Sequence, residues 1–582
     1  MKKEWNDFNN PQVAGLPDHL KKYIVEQNYE KYTPIDHAVW RYVMRQNFSY
    51  LKDAAYYPYI PGLKKAGLTI EKIPSLQEIN DALAEIGWGA VTVDGFIPPA
   101  AFMEYQAYRV LVIAADIRQL EHIEYTAAPD IIHEAAGHAP IISDPDYNQY
   151  LSYLGSLGTK AIFSARDHEL YEAIRQLSIL KETPNISRQL VEEAESKVLH
   201  IQNDMGHPSE MALLSRLQWW TVEYGLIGDL VNFKIYGAGL LSSIGESTSC
   251  MRPSVKKIPY TIDAVNYAYD ITKPQPLLFV TPTFQRLIDV LQEFENGMAF
   301  RVGGLESVRK AIGSKNICTA EFSSGVQLTG VFSEVYSDKD GRITYIRTNG
   351  PSSLSYKNRE LNGHGKDYHF HGFGSPVGKL SGSVIMAHEM QPDPTKEVCL
   401  LFESGISVTG KLTNTVRMDD NLLIMSFIDC TVKDIDEKVL FDPSWGVFDM
   451  AMGEEIVSVF NGAADKSAFE DALYLSGKTT YHPLFTDEEL RYQDLFRQVR
   501  KIRESDKDLK ELEPIWRKIV SDHLNDWLCS LEILEIIGKN EDHTHFANEI
   551  REHLMEQKSR FPHYEKLIND GIRIIDLGLI FA

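Results

Sequence analysis

The stretch PDIIHEAAGHAP, Pro129 to Pro140, holds two histidines and a glutamate within six consecutive residues. It invites comparison with the HExxH helix of zinc peptidases, and its spacing rejects that comparison. Histidines four apart lie about 40° from each other around an α-helix, whereas His133 and His138 are five apart, about 140° round at ~100° per residue. One ion can serve both only if the helix is distorted or ends there. Gly137 permits this, and Pro140 is expected to block continuation. Two neutral imidazoles suit zinc, copper, iron and nickel alike, so a third ligand decides. A carboxylate on a separate element, with half the octahedron open, would make the facial triad of a non-haem Fe(II) oxygenase.

Taken alone, the pair is as readily explained by half-buried, hydrogen-bonded histidines. WWTVEYGLIGD, Trp219 to Asp229, shifts the balance by placing Glu223 on an aromatic and apolar helix face. A carboxylate is costly there unless it is paired or metal-bound.

The surrounding chain is globular in composition, with 582 residues, 43% hydrophobic and 24% charged. That length suggests more than one domain. A net charge of −23 and the lack of a basic patch argue against nucleic acid and anionic membranes as partners. The stretch MKKEWNDFNNPQV has no apolar run of signal-peptide type, and no ~18-residue apolar span occurs, so a cytoplasmic location is expected. Five scattered cysteines without a CxxC are read as reduced and structural.

Helical periodicity dominates from about Asn28 to Phe300, as in IDHAVWRYVMRQNFSYLKDAA. After Gly303 the texture turns to Gly, Ser, Thr and β-branched residues. There EFSSGVQLTGVF (Glu321–Phe332) is echoed by LFESGISVTGKL (Leu401–Leu412), which reads as a duplicated β module closing into a small barrel or sandwich. Helical pattern returns from about Phe469. The expected domains are therefore 1–304, mainly α and catalytic; 305–460, β-rich; and 461–582, helical, with homo-oligomerisation through the C-terminal half as a possible use.

The blocks YTAAPDIIHEAAGHAPIISD, WWTVEYGL and KIYGAGLLSSIGE, flanked by GFIPPAAFMEYQAYRV and QPLLFVTPTFQRLIDVLQEF, resemble the pterin-dependent aromatic amino acid hydroxylases in order and spacing. The resemblance covers about Asn28 to Phe300. It implies Fe(II) held by His133, His138 and Glu223, with Glu134 beside a tetrahydropterin. It implies Arg118 as the fork that takes the substrate carboxylate, with Tyr125, Thr126, Pro129, Asp130 and Trp219 lining the substrate side. Ser242 and Glu246 would support the iron ligands and the substrate end, Ser242 among the substrate-side residues. Phe102 would stack on the pterin, with backbone contacts from Gly95 and Ile97. The alternative for Arg118 is a surface ion pair with a glutamate of IRQLEHIE; for Phe102 it is ordinary core. Gln218 and Val112 depart from the animal pattern, the latter where those enzymes place a histidine near the pterin. The GxG of YGAGLLSS lacks the third glycine and preceding strand of a dinucleotide site.

The implied activity is O2-dependent hydroxylation of an aromatic amino acid. Phenylalanine to tyrosine is the first expectation, with tryptophan or tyrosine hydroxylation as the alternative. A rival of another class is a binding or scaffold protein with a vestigial hydroxylase domain. A second cluster, His364, His369 and His371 in GHGKDYHFHGFG, has metal-compatible alternation but no evident carboxylate partner, and turn chemistry is the favoured reading there.

Overall fold

The computed structural model describes residues 10–95, 97–124, 129–182, 186–270, 274–381, 390–469, 485–505, 507–523, 525–538 and 543–578. Its contacts divide the chain into two compact units. One comprises 1–154, 216–288 and 478–582, and the other 155–215 and 289–477. No described helix is long and apolar enough to cross a membrane.

The first unit is built around the helix Pro34–Ala54. Thr33 and Asp36 form a reciprocal capping box at its start, and Pro34 occupies the first turn, where its missing N–H costs nothing. Strands Gly89–Val93 and Val110–Ala114 pair in parallel around the helix Pro99–Ala107. A small mixed sheet runs in the order 233–235, 226–228, 277–281, 256–259. The late helices Asp487–Ser505, Leu512–Asp522, Leu528–Ile537, Thr544–Arg560 and Glu565–Asp576 belong to this unit as well.

They dock on the face of Pro34–Ala54 that carries Arg41 and Tyr42. Arg41, 4% exposed, donates to Glu532 at 2.9 Å, to Glu71 at 2.7 Å and through Nη2 to Glu535 at 2.6 Å. Arg45 adds a bond to Glu535 at 2.6 Å, and Arg503 pairs with Glu532. The Tyr42 hydroxyl donates to the Leu567 carbonyl at 2.7 Å, and its ring meets Trp527 edge-on.

The second unit holds the β module. Antiparallel strands 317–322, 326–337, 343–356, 359–360, 374–376 and 456–461 form one sheet; 397–401, 407–418, 421–433, 439–441 and 448–451 form the other. The two echoed segments are equivalent hairpins. In both, the first glycine takes positive φ at the turn (Gly325, 91°; Gly405, 86°), and the second, Gly330 or Gly410, lies at a register shift against the following strand. The sheets share hydrophobic clusters, with Leu423 and Ile424 packed among the residues of the first sheet and Tyr345 among those of the second.

The compact units do not follow the sequence boundaries at 304 and 460. Residues 155–215 and 289–304 lie with the β module: buried Glu210 accepts from Ile162 N at 3.2 Å, Ala299 N at 2.8 Å and Lys310 Nζ at 2.8 Å. Ile162 itself sits in the β core. Composition marks where helix gives way to strand, not which faces are buried together.

Burial alone would raise the Glu535 carboxyl, but Arg41, then Arg45 and Arg503, hold it down at about 2. A carboxyl depressed from 4.5 to about 2 contributes stability that is complete above pH 4.5 and is lost as pH falls towards 2. Arg41→Ala removes one side of this buried cluster and leaves carboxylates uncompensated. It should cost about 3–5 kcal/mol in denaturant unfolding of the full chain and flatten the acid limb of the stability profile. A loss below about 1 kcal/mol, the range of exposed ion pairs, would show that the tail is not anchored this way.

Candidate metal centre

The spacing that an α-helix cannot accommodate is met by a change of winding. Ile132–His138 is a π-helical turn, and i→i+5 winding makes residues five apart neighbours on one face. The His133 and His138 Nε2 atoms lie 3.3 Å apart, with the rings edge-to-face. The helix does not end at Gly137, nor does Pro140 stop it. Pro140 sits in the first turn of the α-helix Ala139–Ile142, which continues directly. Gly137 serves close packing instead: a Cβ there would stand 2.7 Å from the Ala238 carbonyl oxygen.

A second π turn, Trp219–Glu223, delivers the carboxylate. Glu223 Oε2 is 3.3 Å from His133 Nε2, and Oε1 is 3.4 Å from His138 Nε2. Ligand atoms each about 2.0–2.2 Å from one ion and at 90–109° to each other stand about 3.0–3.4 Å apart. The three side chains therefore fit a single divalent transition metal. The glycines of YGAG explain how Glu223 is backed: a Cβ on Gly237 would lie 2.5 Å from the Glu223 carbonyl oxygen. That GxG is a packing device.

Ser242 fixes the tautomer of His133. Its hydroxyl donates to the Ala238 carbonyl at 2.8 Å, so its lone pair accepts from His133 Nδ1–H at 3.0 Å and leaves Nε2 free to ligate. Among these residues, then, Ser242 stands behind the ligand histidine. Burial disfavours an imidazolium at His133, but Glu223 and the other carboxylates outweigh it and lift the group to about 9. Burial would also raise Glu223, yet the two imidazoles hold it far below the usual carboxylate range. The pocket draws positive charge.

Arg118 is not a surface residue. Its Nε and Nη2 clasp the two Asp130 oxygens at 2.7 and 2.8 Å, both residues being buried. Asp130 also accepts from the backbone of Arg118 and of His133, each at 3.0 Å. Glu134 Oε2 lies 3.6 Å from His138 Nε2 without a hydrogen bond, and burial raises its pKa. Glu246, buried, accepts from the Tyr224 hydroxyl at 2.6 Å. Trp219 is sandwiched between Tyr224 (4.7 Å) and Tyr269 (4.3 Å, 9° between planes). Neither tyrosine stood out in the sequence, although Trp219 and Tyr224 repeat the five-residue spacing of the histidines.

The remaining expected residues are placed less centrally. Gly95 is exposed with φ 62°, and Ile97 and Phe102 pack on the cluster of Val13, Leu16, Val91 and Tyr105. Pro129 is half-buried before the π turn; Tyr125 and Thr126 lie outside the described residues. In the β module, His364 and His369 are buried with Asp449, a carboxylate the sequence reading did not find, while His371 is exposed. Burial pushes both imidazoles down, His369 to about 4.

The family model of the biopterin-dependent aromatic amino acid hydroxylases matches residues 21–178 and 202–302. The match lies wholly within the first 302 residues, the part of the chain that carries His133, His138 and Glu223. Curated phenylalanine-4-hydroxylases are similar: that of Chromobacterium violaceum is 27% identical over 286 residues, 49% of this chain and 82% of the relative. That of Pseudomonas aeruginosa is 29% identical over 283 residues, 48% of this chain and 88% of the relative. A solved C. violaceum phenylalanine hydroxylase with iron and phenylalanine bound is 25% identical, covering 49% of this chain and 89% of that one at a TM-score of 0.36. This chain is longer than these relatives, and the β-rich and late helical segments extend beyond the hydroxylase match.

The contact at Gly137 is open to test. Gly137→Ala should displace the Ala238–Ser242 helix, loosen the His133–Ser242 bond and weaken metal affinity about 10- to 100-fold, read by competition with a chelator of known affinity. Unchanged affinity would mean that the 137–238 approach does not set the site.

Proposed function

We propose that the protein is an Fe(II)- and tetrahydropterin-dependent monooxygenase that hydroxylates L-phenylalanine to L-tyrosine. One observation carries the metal part of the reading. Two imidazole nitrogens and a carboxylate converge at 3.3–3.4 Å separations from two π turns of a hydroxylase-family domain. The donor set is that of the facial triad that leaves half of an Fe(II) octahedron open. The named relatives, all phenylalanine-4-hydroxylases, support phenylalanine as substrate. When bound, iron and reduced pterin together supply the electrons that split O2 and place one oxygen atom on the aromatic ring.

The chain's own residues bind and orient. His133, His138 and Glu223 would hold the ion, and Ser242, accepting from His133 Nδ1–H, keeps Nε2 turned towards it. Asp130 clasps the Nε–Nη2 edge of Arg118, so the Nη1 donors remain to take the substrate carboxylate. Trp219, stiffened by stacking on Tyr224 and Tyr269, would wall the substrate side with Pro129. Glu134, held towards its neutral form by burial, and Phe102, Gly95 and Ile97 are the residues that would hold the pterin. Glu246 acts through Tyr224 on Trp219.

Anaerobically iron-loaded protein given tetrahydropterin, O2 and each aromatic amino acid in turn should yield tyrosine from phenylalanine as the main product. Glu223→Gln should lose bound iron and hydroxylation while the far-UV circular dichroism is retained, because two ligands are too few to fix the ion. Turnover by the wild type with zinc and no iron would overturn the assignment.

Arg118→Lys keeps the charge but loses the fork. It should raise KM for the amino acid about tenfold, one lost charge-assisted bond of ~1.5 kcal/mol, with little change in KM for the pterin. A rise confined to the pterin would mean that Arg118 serves the other cofactor face.

A further inference from the structure

We propose that His364, His369 and Asp449 form a second metal site, binding a divalent transition-metal ion such as zinc independently of the hydroxylase centre and tying together the two sheets of the β module.

The two histidines are held by backbone rather than by chance of rotamer. The 361–373 loop is laced to the strand Ile343–Tyr356: Leu354 N donates to the His364 carbonyl at 2.9 Å, Ser352 N to the His369 carbonyl at 3.1 Å, and Leu361 N to the Leu354 carbonyl at 2.9 Å. The rings lie at 20° to each other, and His364 Nδ1 stands 3.2 Å from His369 Nε2. That separation suits two imidazoles on one ion, each about 2.0–2.1 Å away at a tetrahedral angle.

Asp449 comes from the other sheet, on the strand Phe448–Ala451, where it pairs with Ser426. The Ser426 hydroxyl donates to Asp449 Oδ1 at 2.5 Å and the Tyr368 hydroxyl also interacts with this carboxylate, so Asp449 is oriented by neighbouring hydroxyls beside the imidazoles. One ligand atom from each residue falls within 4.8 Å of the others, and the three are 6, 8 and 6% exposed. Three protein ligands from nitrogen and oxygen are a borderline donor set, fitting zinc or its first-row neighbours rather than calcium or magnesium.

The surroundings complete the case. Tyr368 sits edge-on to both imidazoles at 5.7 and 4.7 Å, and Phe373 edge-on to His369 at 5.2 Å, so the cluster has an aromatic wall. Tyr368 is itself 55% exposed, which puts solvent one side chain away and gives an ion a way in. An ion held there spans the loop of the six-stranded sheet and a strand of the five-stranded one, so its binding energy becomes stability of the module.

The test uses full-length protein stripped with chelator and reloaded with zinc alone or cobalt alone. A His133→Ala/Glu223→Gln chain keeps one ligand in the hydroxylase centre and leaves the β module untouched. It should still bind one ion per chain by elemental analysis, show cobalt absorption of imidazole–carboxylate type, and gain several degrees in Tm with zinc. Adding Asp449→Asn or His369→Gln should abolish all three. No ion in the His133→Ala/Glu223→Gln chain would overturn the proposal, even if the Asp449 and His369 variants fail to fold. So would an ion that survives both of those changes.

Discussion

The candidate metal centre depends on the closeness with which the backbone at Gly137 meets Ala238. A Cβ at either approach would collide, at Gly137 with the Ala238 oxygen and at Gly237 with the Glu223 carbonyl, so three chain segments meet backbone to backbone. This contact lets Ser242 reach His133 and lets Glu223 face both histidines. The i→i+5 winding is rare because its hydrogen bonds are poorly aligned, and such turns persist where neighbours over-determine them. Here the neighbours can be named. Asp130 takes the His133 N–H at the start of the first turn, and the Trp219 carbonyl takes the Tyr224 N–H across the second.

Asp130 makes the two ends of the site one structure. One of its oxygens accepts from Arg118 Nε and N, the other from Arg118 Nη2 and His133 N. A buried carboxylate would normally be pushed towards protonation, and these four donors, led by Arg118, keep it below the usual range instead. The orientation of the guanidinium and the start of the ligand-bearing turn are therefore fixed by the same group. A disturbance at Arg118 reaches His133 through two hydrogen bonds.

Much of this was legible in the residues and some was not, for identifiable reasons. The candidate trio His133, His138 and Glu223 could be picked out because the blocks that hold it carry dense, unusual residue combinations. The winding that unites His133 and His138 could not, since five-residue spacing is only an anomaly until the hydrogen bonds are seen. Gly137 suggests a helix that distorts or ends, and its close approach to Ala238 stays hidden because glycine is ambiguous between conformational freedom and close packing. Arg118 and Asp130, twelve apart, gave no local signal of pairing. Asp449 lies 80 positions beyond His369, and only the sheet register puts it beside the imidazoles. The change from helix to strand near 304 showed in composition, but Glu210 and Ile162, which belong with the β module, look like any other helical residues.

The late helices, finally, are bound to the helix Pro34–Ala54 by something more selective than apolar burial. Arg41, Arg45 and Arg503 face Glu71, Glu532 and Glu535, three cations against three anions, largely out of water. Such a cluster adds little over a hydrophobic replacement when complete, but it penalises every arrangement in which one side is missing, because a charge is then stranded. It therefore specifies which surface the tail covers more than it adds to overall stability. The helix that carries Arg41 also carries Asn47, whose amide donates to the Leu241 carbonyl at 3.1 Å, one residue from the Ser242 that orients His133. The tail and the metal site thus share a single rigid element. A unit that buries Arg41 on that element depends on the helices that neutralise it.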